Sequence, residues 1–209
     1  MTPKLHRKFI KLAGAFSPGL ESHIRRLGPL EIPSRKHLGL PHFLARIIIS
    51  QQLSTKAAQT IWLRIKSAAR EADQRIPQYF SRDNIEAIRA CGVSGNKTLA
   101  LLAINEAHTL RTLSPARLRK MDFETRSATL LELRGVGQWT IDMASMFYFG
   151  DKDIWPLGDL AVARTFRSYL SARQARRMDS FVARFSPNRS YLACYMWQIV
   201  DGDLDAEPI

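Results

Sequence analysis

Apolar residues recur at helical spacing along nearly the whole chain, and no stretch keeps up the apolar–polar alternation of a strand. In "HFLARIIIS", Phe43, Leu44 and Ile47 fall on one helical face, and in "DLAVARTFRSYL" Val162 and Phe166 do the same. A chain in which apolar residues follow only the helical period buries its apolar faces by packing helices against one another. The sequence therefore predicts an all-α protein of many short helices.

Serine residues mark where two of these helices begin. Ser54 follows the polar break "SQQ" and precedes a helix with an apolar stripe, so the sequence predicts it as an N-cap. Ser81 is predicted in the same way to open "RDNIEAIRA", which stops at Gly92.

The formal net charge of +12 narrows the kind of partner. Such an excess in a protein with a real core favours a polyanion, and nucleic acid is the usual one, although a solvated basic surface is the alternative. No apolar run approaches a membrane span, and the N-terminal stretch lacks the apolar core of a signal peptide. We therefore expect an intracellular protein with no membrane partner.

The chain has only two cysteines, Cys91 and Cys194. They lie far apart and show no metal-ligand spacing, which excludes a four-cysteine iron–sulfur cluster or zinc finger within the chain. The same count argues against a disulfide framework. Two buried free thiols are expected.

The stretch "LRGVGQWT" joins two predicted helices through two glycines, Gly135 and Gly137. Glycine adopts positive φ without steric cost, and without a side chain it lets the backbone approach another molecule. The unpaired N–H groups at the start of the second helix then form a phosphate site. A plain helical hairpin with a glycine C-cap is the alternative, and the basic composition favours the DNA-binding version.

Four stretches, in order from Phe43 to Trp197, carry a family resemblance. "LRGVGQWT" resembles the hairpin of the helix-hairpin-helix DNA glycosylases, and "DIWPLGDLAV" resembles their Gly/Pro-rich loop that ends in an aspartate, here Asp159, 22 residues after Gly137. "IIISQQLSTKAAQTIW" is similar to the segment that lies near the lesion. "NRSYLACYMW" is similar to the last helix of the 3-methyladenine DNA glycosylase II branch, in its compact form without an N-terminal β domain.

This resemblance implies an all-α fold of two helical subdomains with a DNA-binding cleft between them. The central subdomain would span 37–141 and end in the helix-hairpin-helix. The second would combine 1–36 with 142–209 and carry the aspartate. The implied protein is a monomer that binds damaged double-stranded DNA, in the cytoplasm or nucleoid of a bacterium or the nucleus of a eukaryote.

Asp159 is the implied catalytic residue. Cleavage of an N-glycosidic bond develops positive charge at C1′ of the sugar, and a fixed carboxylate stabilises that charge and orients or deprotonates the attacking water. Its position at the start of "DLAVARTF" is equally that of an N-cap, and the two roles do not exclude each other.

Trp139 occupies the place at which strand-cutting relatives carry a lysine that attacks C1′. Indole is no nucleophile, so the resemblance implies a monofunctional enzyme that uses water, leaves an abasic site and has no lyase activity. The implied reaction is excision of alkylated purines of the 3-methyladenine and 7-methylguanine type in base excision repair.

The resemblance also implies a pocket for the flipped base, formed by Trp139, Trp197, Met143 and Leu160. Electron-rich indole attracts a cationic methylated purine, by about 0.5–2 kcal/mol per contact. Met143 and Leu160 stand where the best-known long members have aromatic residues, so a less aromatic pocket with different selectivity is expected. For Trp197 and Met143, simple core packing is the alternative.

The remaining expected DNA contacts lie in the hairpin and near the polar break. Gly135, Val136, Gly137 and Thr140 of the hairpin are expected to meet phosphate, and so is Lys97. One residue of the break, Gln51, Gln52 or Leu53, would fill the gap left by the flipped base. A capped interhelical turn is the other reading of this break.

No cofactor and no catalytic metal are implied. The backbone carbonyls of Leu131, Leu133 and Val136 would hold a structural Na⁺ or K⁺ that bridges to phosphate. Two alternative functions stay open. One is the same scaffold with another specificity, such as uracil, hypoxanthine or mismatched thymine. The other is a helix-hairpin-helix module that binds DNA without catalysis.

Overall fold

The computed structural model describes residues 1–201, and every regular element in that range is helical, which confirms the all-α class. The α-helices in chain order are α1 Pro3–Gly14, α2 Pro18–Leu27, α3 Leu40–Ser50, α4 Thr55–Glu71, α5 Ile85–Ala90, α6 Gly95–Thr109, α7 Pro115–Leu118, α8 Phe123–Leu131, α9 Gln138–Met143, α10 Leu160–Ser168, α11 Ala172–Ala175, α12 Met178–Val182 and α13 Arg189–Asp201. Three short 3₁₀-helices lie at Lys36–Leu38, Arg82–Asn84 and Ala183–Phe185.

Helix α9 continues directly into a π-helix, Ala144–Phe149. The sequence predicts a single helix for "QWTIDMASMFYFG", but the structure has an α-helix followed by a π-helix. It ends at Gly150, whose φ is +86°, and the carbonyl of Ser145 accepts hydrogen bonds from Gly150 and Asp151 at 2.9 Å each. A change of this kind in the middle of a helix often accompanies a functional site.

The predicted caps differ in outcome. The Ser54 hydroxyl accepts a hydrogen bond from the backbone N–H of Ala57 at 3.3 Å, so this N-cap is confirmed. Ser81 stands at the N-cap position, as predicted, of the 3₁₀-helix Arg82–Asn84 that leads into α5. Its side chain makes no capping hydrogen bond.

One structural unit of the described chain consists of Met1–Ser34 together with residues 145–201. Its core is rich in aromatic rings from distant parts of the chain. Phe9 packs edge-on against Phe185 with ring centroids 5.0 Å apart. The Tyr195 hydroxyl donates to the carbonyl of Gly28 at 2.6 Å, which ties α13 to the end of α2.

The other unit comprises Arg35–Ala144. Its central helix is α3, which packs against α4, α6 and α9. Most residues of α3 are buried, including Phe43 and Ile47. The exceptions are polar and fall on one helical face, at His42, Arg46 and Ser50.

The two cysteines are free and buried, as predicted. Within residues 1–201, no helix is both long and apolar enough to cross a membrane.

Candidate nucleic-acid interface and excision site

The predicted hairpin joins α8 and α9. The N–H of Val136 donates to the carbonyl of Leu133 at 3.1 Å, which closes the turn, and Gly137 is the N-cap of α9. Val136 is buried. Leu131, at the end of α8, is half exposed.

The two hairpin glycines meet different structural demands. Gly135 has φ +78°, and a Cβ there would collide with the Cβ of Ala100 in α6. Gly137 has φ −107°, which any residue adopts, and a Cβ there would touch nothing in the protein. Gly135 is thus needed for the tight packing against α6, whereas the space beside Gly137 is open.

Helix α9 carries a buried acid beside the hairpin. Asp142 is 4% exposed, and its Oδ1 accepts a hydrogen bond from Nε2 of Gln138 at 2.8 Å. Burial raises the pKa of Asp142 to about 6, although the hydrogen bond from Gln138 opposes that shift. Trp139, on the same helix, is half-buried.

The side chain of Gln51 contacts the hairpin. Its Nε2 donates to Thr140 Oγ1 at 3.0 Å and to the carbonyl of Gly135 at 3.4 Å. Thr140 is completely buried, and its hydroxyl is engaged inside the unit. The expected phosphate contact of Thr140 therefore stays a prediction for its backbone N–H only.

Lys97 has an internal role. Its Nζ donates to the carbonyls of Ile49 and Gln51 at 2.8 and 2.7 Å, at the C-terminal end of α3. Burial lowers the pKa of this ammonium group. Because a cation here also meets the negative end of the α3 dipole, Lys97 stabilises the end of that helix. The phosphate contact expected of Lys97 has no support in this geometry.

Of the three candidates for the gap-filling residue, Gln52 and Leu53 are exposed. Gln52 has φ +58°, a conformation uncommon for a residue with a side chain. Gln51 differs from both because its carboxamide is bound to the hairpin.

Asp159 lies in the unit that contains both chain ends. It is the N-cap of α10, and its Oδ1 accepts a hydrogen bond from the N–H of Val162 at 2.9 Å. The carboxylate is half-buried. Leu157 and Leu160 on either side are 68% and 66% exposed, so the aspartate is flanked by apolar surface.

The loop that leads to Asp159 is held by the start of α13 through an ion pair. Arg189 donates from Nε to Asp153 Oδ1 at 2.8 Å and from Nη2 to Oδ2 at 3.0 Å. The backbone N–H of Arg189 and the hydroxyl of Ser186 donate to the same carboxylate. Burial disfavours the charged form of Asp153, but the hydrogen bonds from Arg189 and Ser186 outweigh it and lower the pKa of this carboxyl.

Ser190 adds a second attachment. Its hydroxyl donates to the carbonyl of Asp151 at 2.8 Å and accepts from the N–H of Ile154 at 3.0 Å. Trp155, next in the loop, packs its ring against Phe166 of α10 with centroids 5.5 Å apart. The loop is therefore fixed at both ends, and α10 with its cap is held in place.

The other expected pocket residues differ in exposure. Trp197 is half-buried, and its ring packs against Phe147 with centroids 5.8 Å apart. Met143 has no exposed surface, so a contact with a base would require it to be uncovered. This favours core packing for Met143, whereas Leu160 is open to solvent.

Sequence reasoning missed the residues that position the site, namely the Asp153–Arg189 pair and Ser190. The partners in each contact lie about 36 residues apart, so no local sequence pattern predicts these contacts. A hint exists in the charged residue of "DIWP" and the arginine of "NRS", but nothing in sequence says that these two meet.

The described residues contain no cluster of three or more His, Cys, Asp or Glu that could hold a metal ion. The three residues expected to hold a cation, Leu131, Leu133 and Val136, have apolar side chains and can offer only backbone carbonyl oxygens, which are hard ligands. The carbonyl of Leu133 already accepts the Val136 N–H and keeps one lone pair for such an ion.

Comparison with known proteins identifies the family of this chain. No protein-family model matches the chain. DNA-3-methyladenine glycosylase 1 of Schizosaccharomyces pombe is 31% identical to it over 161 residues, which are 74% of this chain and 70% of the relative. The chain belongs to the DNA-3-methyladenine glycosylase family.

Further members of this glycosylase family agree. The alkylbase DNA glycosidase-like protein mag2 of Schizosaccharomyces pombe is 27% identical over 183 residues, which are 85% of this chain and 86% of the relative. Among solved structures, the 3-methyladenine DNA glycosylase Mag1 of that yeast, in complex with abasic DNA, has a TM-score of 0.78 at 25% identity and covers 95% of this chain and 98% of its own.

A DNA-3-methyladenine glycosidase from Bacillus halodurans has a TM-score of 0.72 at 26% identity and covers 94% of this chain and 88% of its own. The glycosylase family and the helical fold inferred from the four motifs are thus confirmed.

Proposed function

We propose that this protein is a monofunctional DNA glycosylase that excises alkylated purines of the 3-methyladenine and 7-methylguanine type. It leaves an abasic site for base excision repair. The observation that carries the proposal is the carboxylate of Asp159, which caps α10 at the end of a firmly held loop in a chain of this family.

Docking on DNA is assigned to the hairpin. Gly137 has open space beside its Cα, and the first N–H groups of α9 follow it without a side-chain cap. Such a helix start favours a phosphate. The net charge of +12 adds sequence-independent attraction to duplex DNA. The protein acts as a monomer, in whichever compartment holds the chromosome.

In the reaction, the bond between C1′ of the deoxyribose and the purine nitrogen breaks, and the base leaves with the electron pair as a neutral alkylated purine. The oxygen of a water molecule forms the new bond to C1′. Asp159 stabilises the positive charge that develops on the sugar, and it accepts a proton from the attacking water.

Trp139 is assigned a role in binding rather than in bond formation. An indole cannot form a Schiff base with C1′, so the strand stays intact after the base leaves. A methylated purine carries positive charge, and stacking on the indole face of Trp139 favours that charge.

A monovalent cation is part of the proposal. The carbonyl oxygens of Leu131, Leu133 and Val136 would hold Na⁺ or K⁺, and the ion would supply positive charge that attracts a DNA phosphate to the hairpin.

An excision panel tests the proposal. Duplexes that carry 7-methylguanine, 3-methyladenine, uracil, hypoxanthine or a thymine mismatch are incubated with excess protein, and each product is run on a gel with and without alkali. We expect release of the methylated purines and strand breaks only after alkali. Nicks without alkali would contradict monofunctionality, and DNA binding without release of any base would favour a non-catalytic binding module.

A further inference from the structure

The break between α3 and α4 forms a tight turn, Ser50–Leu53, which we call the insertion turn. The N–H of Leu53 donates to the carbonyl of Ser50 at 3.2 Å and closes the turn. Gln51 has φ −49° and ψ 130°, and Gln52 follows with φ +58°. These values fit a type II turn, whose third position normally holds glycine.

A glutamine in a glycine conformation is maintained only where the surroundings determine it. Two side chains hold the insertion turn from the protein side. The ammonium group of Lys97 binds the carbonyls of Ile49 and Gln51. The carboxamide of Gln51 binds Thr140 Oγ1 and the carbonyl of Gly135 in the hairpin.

The side chains of the insertion turn face in different directions. Because Gln51 faces the hairpin, the next two side chains of the turn, Gln52 and Leu53, face solvent. The exposed fraction of Leu53 is 40%, which is large for a leucine next to the core helix α3.

We propose that Gln51 is a positioning residue that couples the hairpin to the insertion turn. When the hairpin docks on the phosphate backbone, the Gln51 carboxamide fixes the place at which Gln52 and Leu53 enter the duplex and hold the flipped base out of the stack. The inference rests on the proposed function, since it presupposes base flipping.

The turn has supports other than the Gln51 side chain. The Leu53 N–H and the Lys97 ammonium group hold its backbone, and Ser54 caps α4 independently. What the Gln51 side chain adds is a link across 84 and 89 residues of sequence to the hairpin. Loss of this link should therefore impair base flipping more than folding or docking.

The test compares Gln51→Glu with the wild type. Glutamate has nearly the same shape, but it has no N–H to donate to Gly135, and its charge faces that carbonyl. Gln59→Ala is the matched control, because Gln59 is an exposed glutamine on the neighbouring helix α4. Thr140→Val removes one of the two acceptors of Gln51 in the hairpin, with little change in the size of the side chain.

Three measurements are made on each variant. Flipping is followed by the fluorescence of 2-aminopurine placed next to a 7-methylguanine, and excision is measured under single-turnover conditions. Affinity for undamaged duplex is measured by fluorescence anisotropy. For Gln51→Glu we expect the fluorescence rise to be largely lost and excision to slow by about 10- to 100-fold, because the hydrogen bond to the Gly135 carbonyl is replaced by repulsion between two oxygen atoms.

Affinity for undamaged duplex and the thermal melting temperature should stay near those of the wild type, and Gln59→Ala should match the wild type in every measurement. Should Gln51→Glu fail to fold, Thr140→Val decides, with the same pattern expected but a smaller loss. A wild-type fluorescence rise and excision rate in the variant that folds would overturn the inference. So would equal losses of undamaged-duplex affinity and excision, which indicate a merely structural role. Failure of the wild type to release any base would instead refute the proposed function.

Discussion

Gly135 and Gly137 stand two positions apart in the hairpin and meet different demands. The sequence alone treats them alike, as residues that permit a turn and a close approach. The structure separates them, because Gly135 has positive φ and faces Ala100, whereas Gly137 has ordinary φ and faces open space. This difference depends on α6, some 35 residues away in sequence, and no local pattern encodes it.

Alanine substitutions at the two glycines should therefore affect different properties, namely stability at Gly135 and DNA binding at Gly137. We expect Gly135→Ala to destabilise the protein by about 1–3 kcal/mol, through overpacking against Ala100 and the positive φ. We expect Gly137→Ala to change stability by less than about 0.5 kcal/mol but to weaken binding to duplex DNA, because its methyl group fills the approach to the phosphate. Urea unfolding and fluorescence anisotropy measure the two effects. Wild-type stability of Gly135→Ala, or wild-type DNA affinity of Gly137→Ala, would contradict this account.

Single residues of the site were predictable to different degrees. The N-cap role of Asp159 was predictable from its own neighbours and is confirmed, whereas its catalytic role stays a prediction. The roles of Gln51 and Lys97 were not predictable, because their partners lie on other helices. Gln51 was grouped with Gln52 and Leu53 as one polar break, and only side-chain contacts distinguish it from them.

At the scale of elements, capping explains several helix starts. Ser54 at the start of α4 was predictable from its own neighbours. The position of Ser81 at a helix start was predictable too, but the 3₁₀-helix that follows it and the missing side-chain hydrogen bond were not. The π-helix after α9 also escaped prediction, because its apolar residues suit an α-helix equally well.

The loop from Gly150 to Asp159 owes its position to α13, and this attachment depends on pH. Because the pKa of Asp153 lies below its ordinary value of 3.8 in the folded state, the charged carboxylate stabilises the fold above that value. This stability is lost as the pH falls through the folded-state pKa.

We therefore expect Asp153→Asn to lower the free energy of unfolding by about 1–3 kcal/mol at pH 7, as for a charged group that loses its hydrogen bonds. The difference from the wild type should shrink towards zero as the pH falls below about 4. Urea unfolding at a series of pH values measures it, with the exposed Asp179→Asn as the control. A difference that stays constant from pH 7 to pH 3 would show that the ion pair does not account for the effect.

At the scale of the whole molecule, the apolar period predicts helices but not which of them pack together. The N-terminal helices share a unit with residues 145–201, a grouping that depends on contacts such as Tyr195 with Gly28. Such contacts join residues more than a hundred positions apart, so only the resemblance to a known family suggested the grouping. The charge of the whole chain pointed to DNA but not to any reaction.

We propose that excision of an alkylated purine depends on the carboxylate of Asp159. The Asp159→Asn variant tests this proposal. Asparagine is as good an N-cap as aspartate, so α10 should keep its start and the fold should persist. Single-turnover release of 7-methylguanine from a methylated duplex is measured beside melting temperature and DNA affinity. We expect release to fall by about 100- to 1000-fold while melting temperature and DNA affinity stay near those of the wild type. Release at the wild-type rate from a folded Asp159→Asn protein would contradict the proposal.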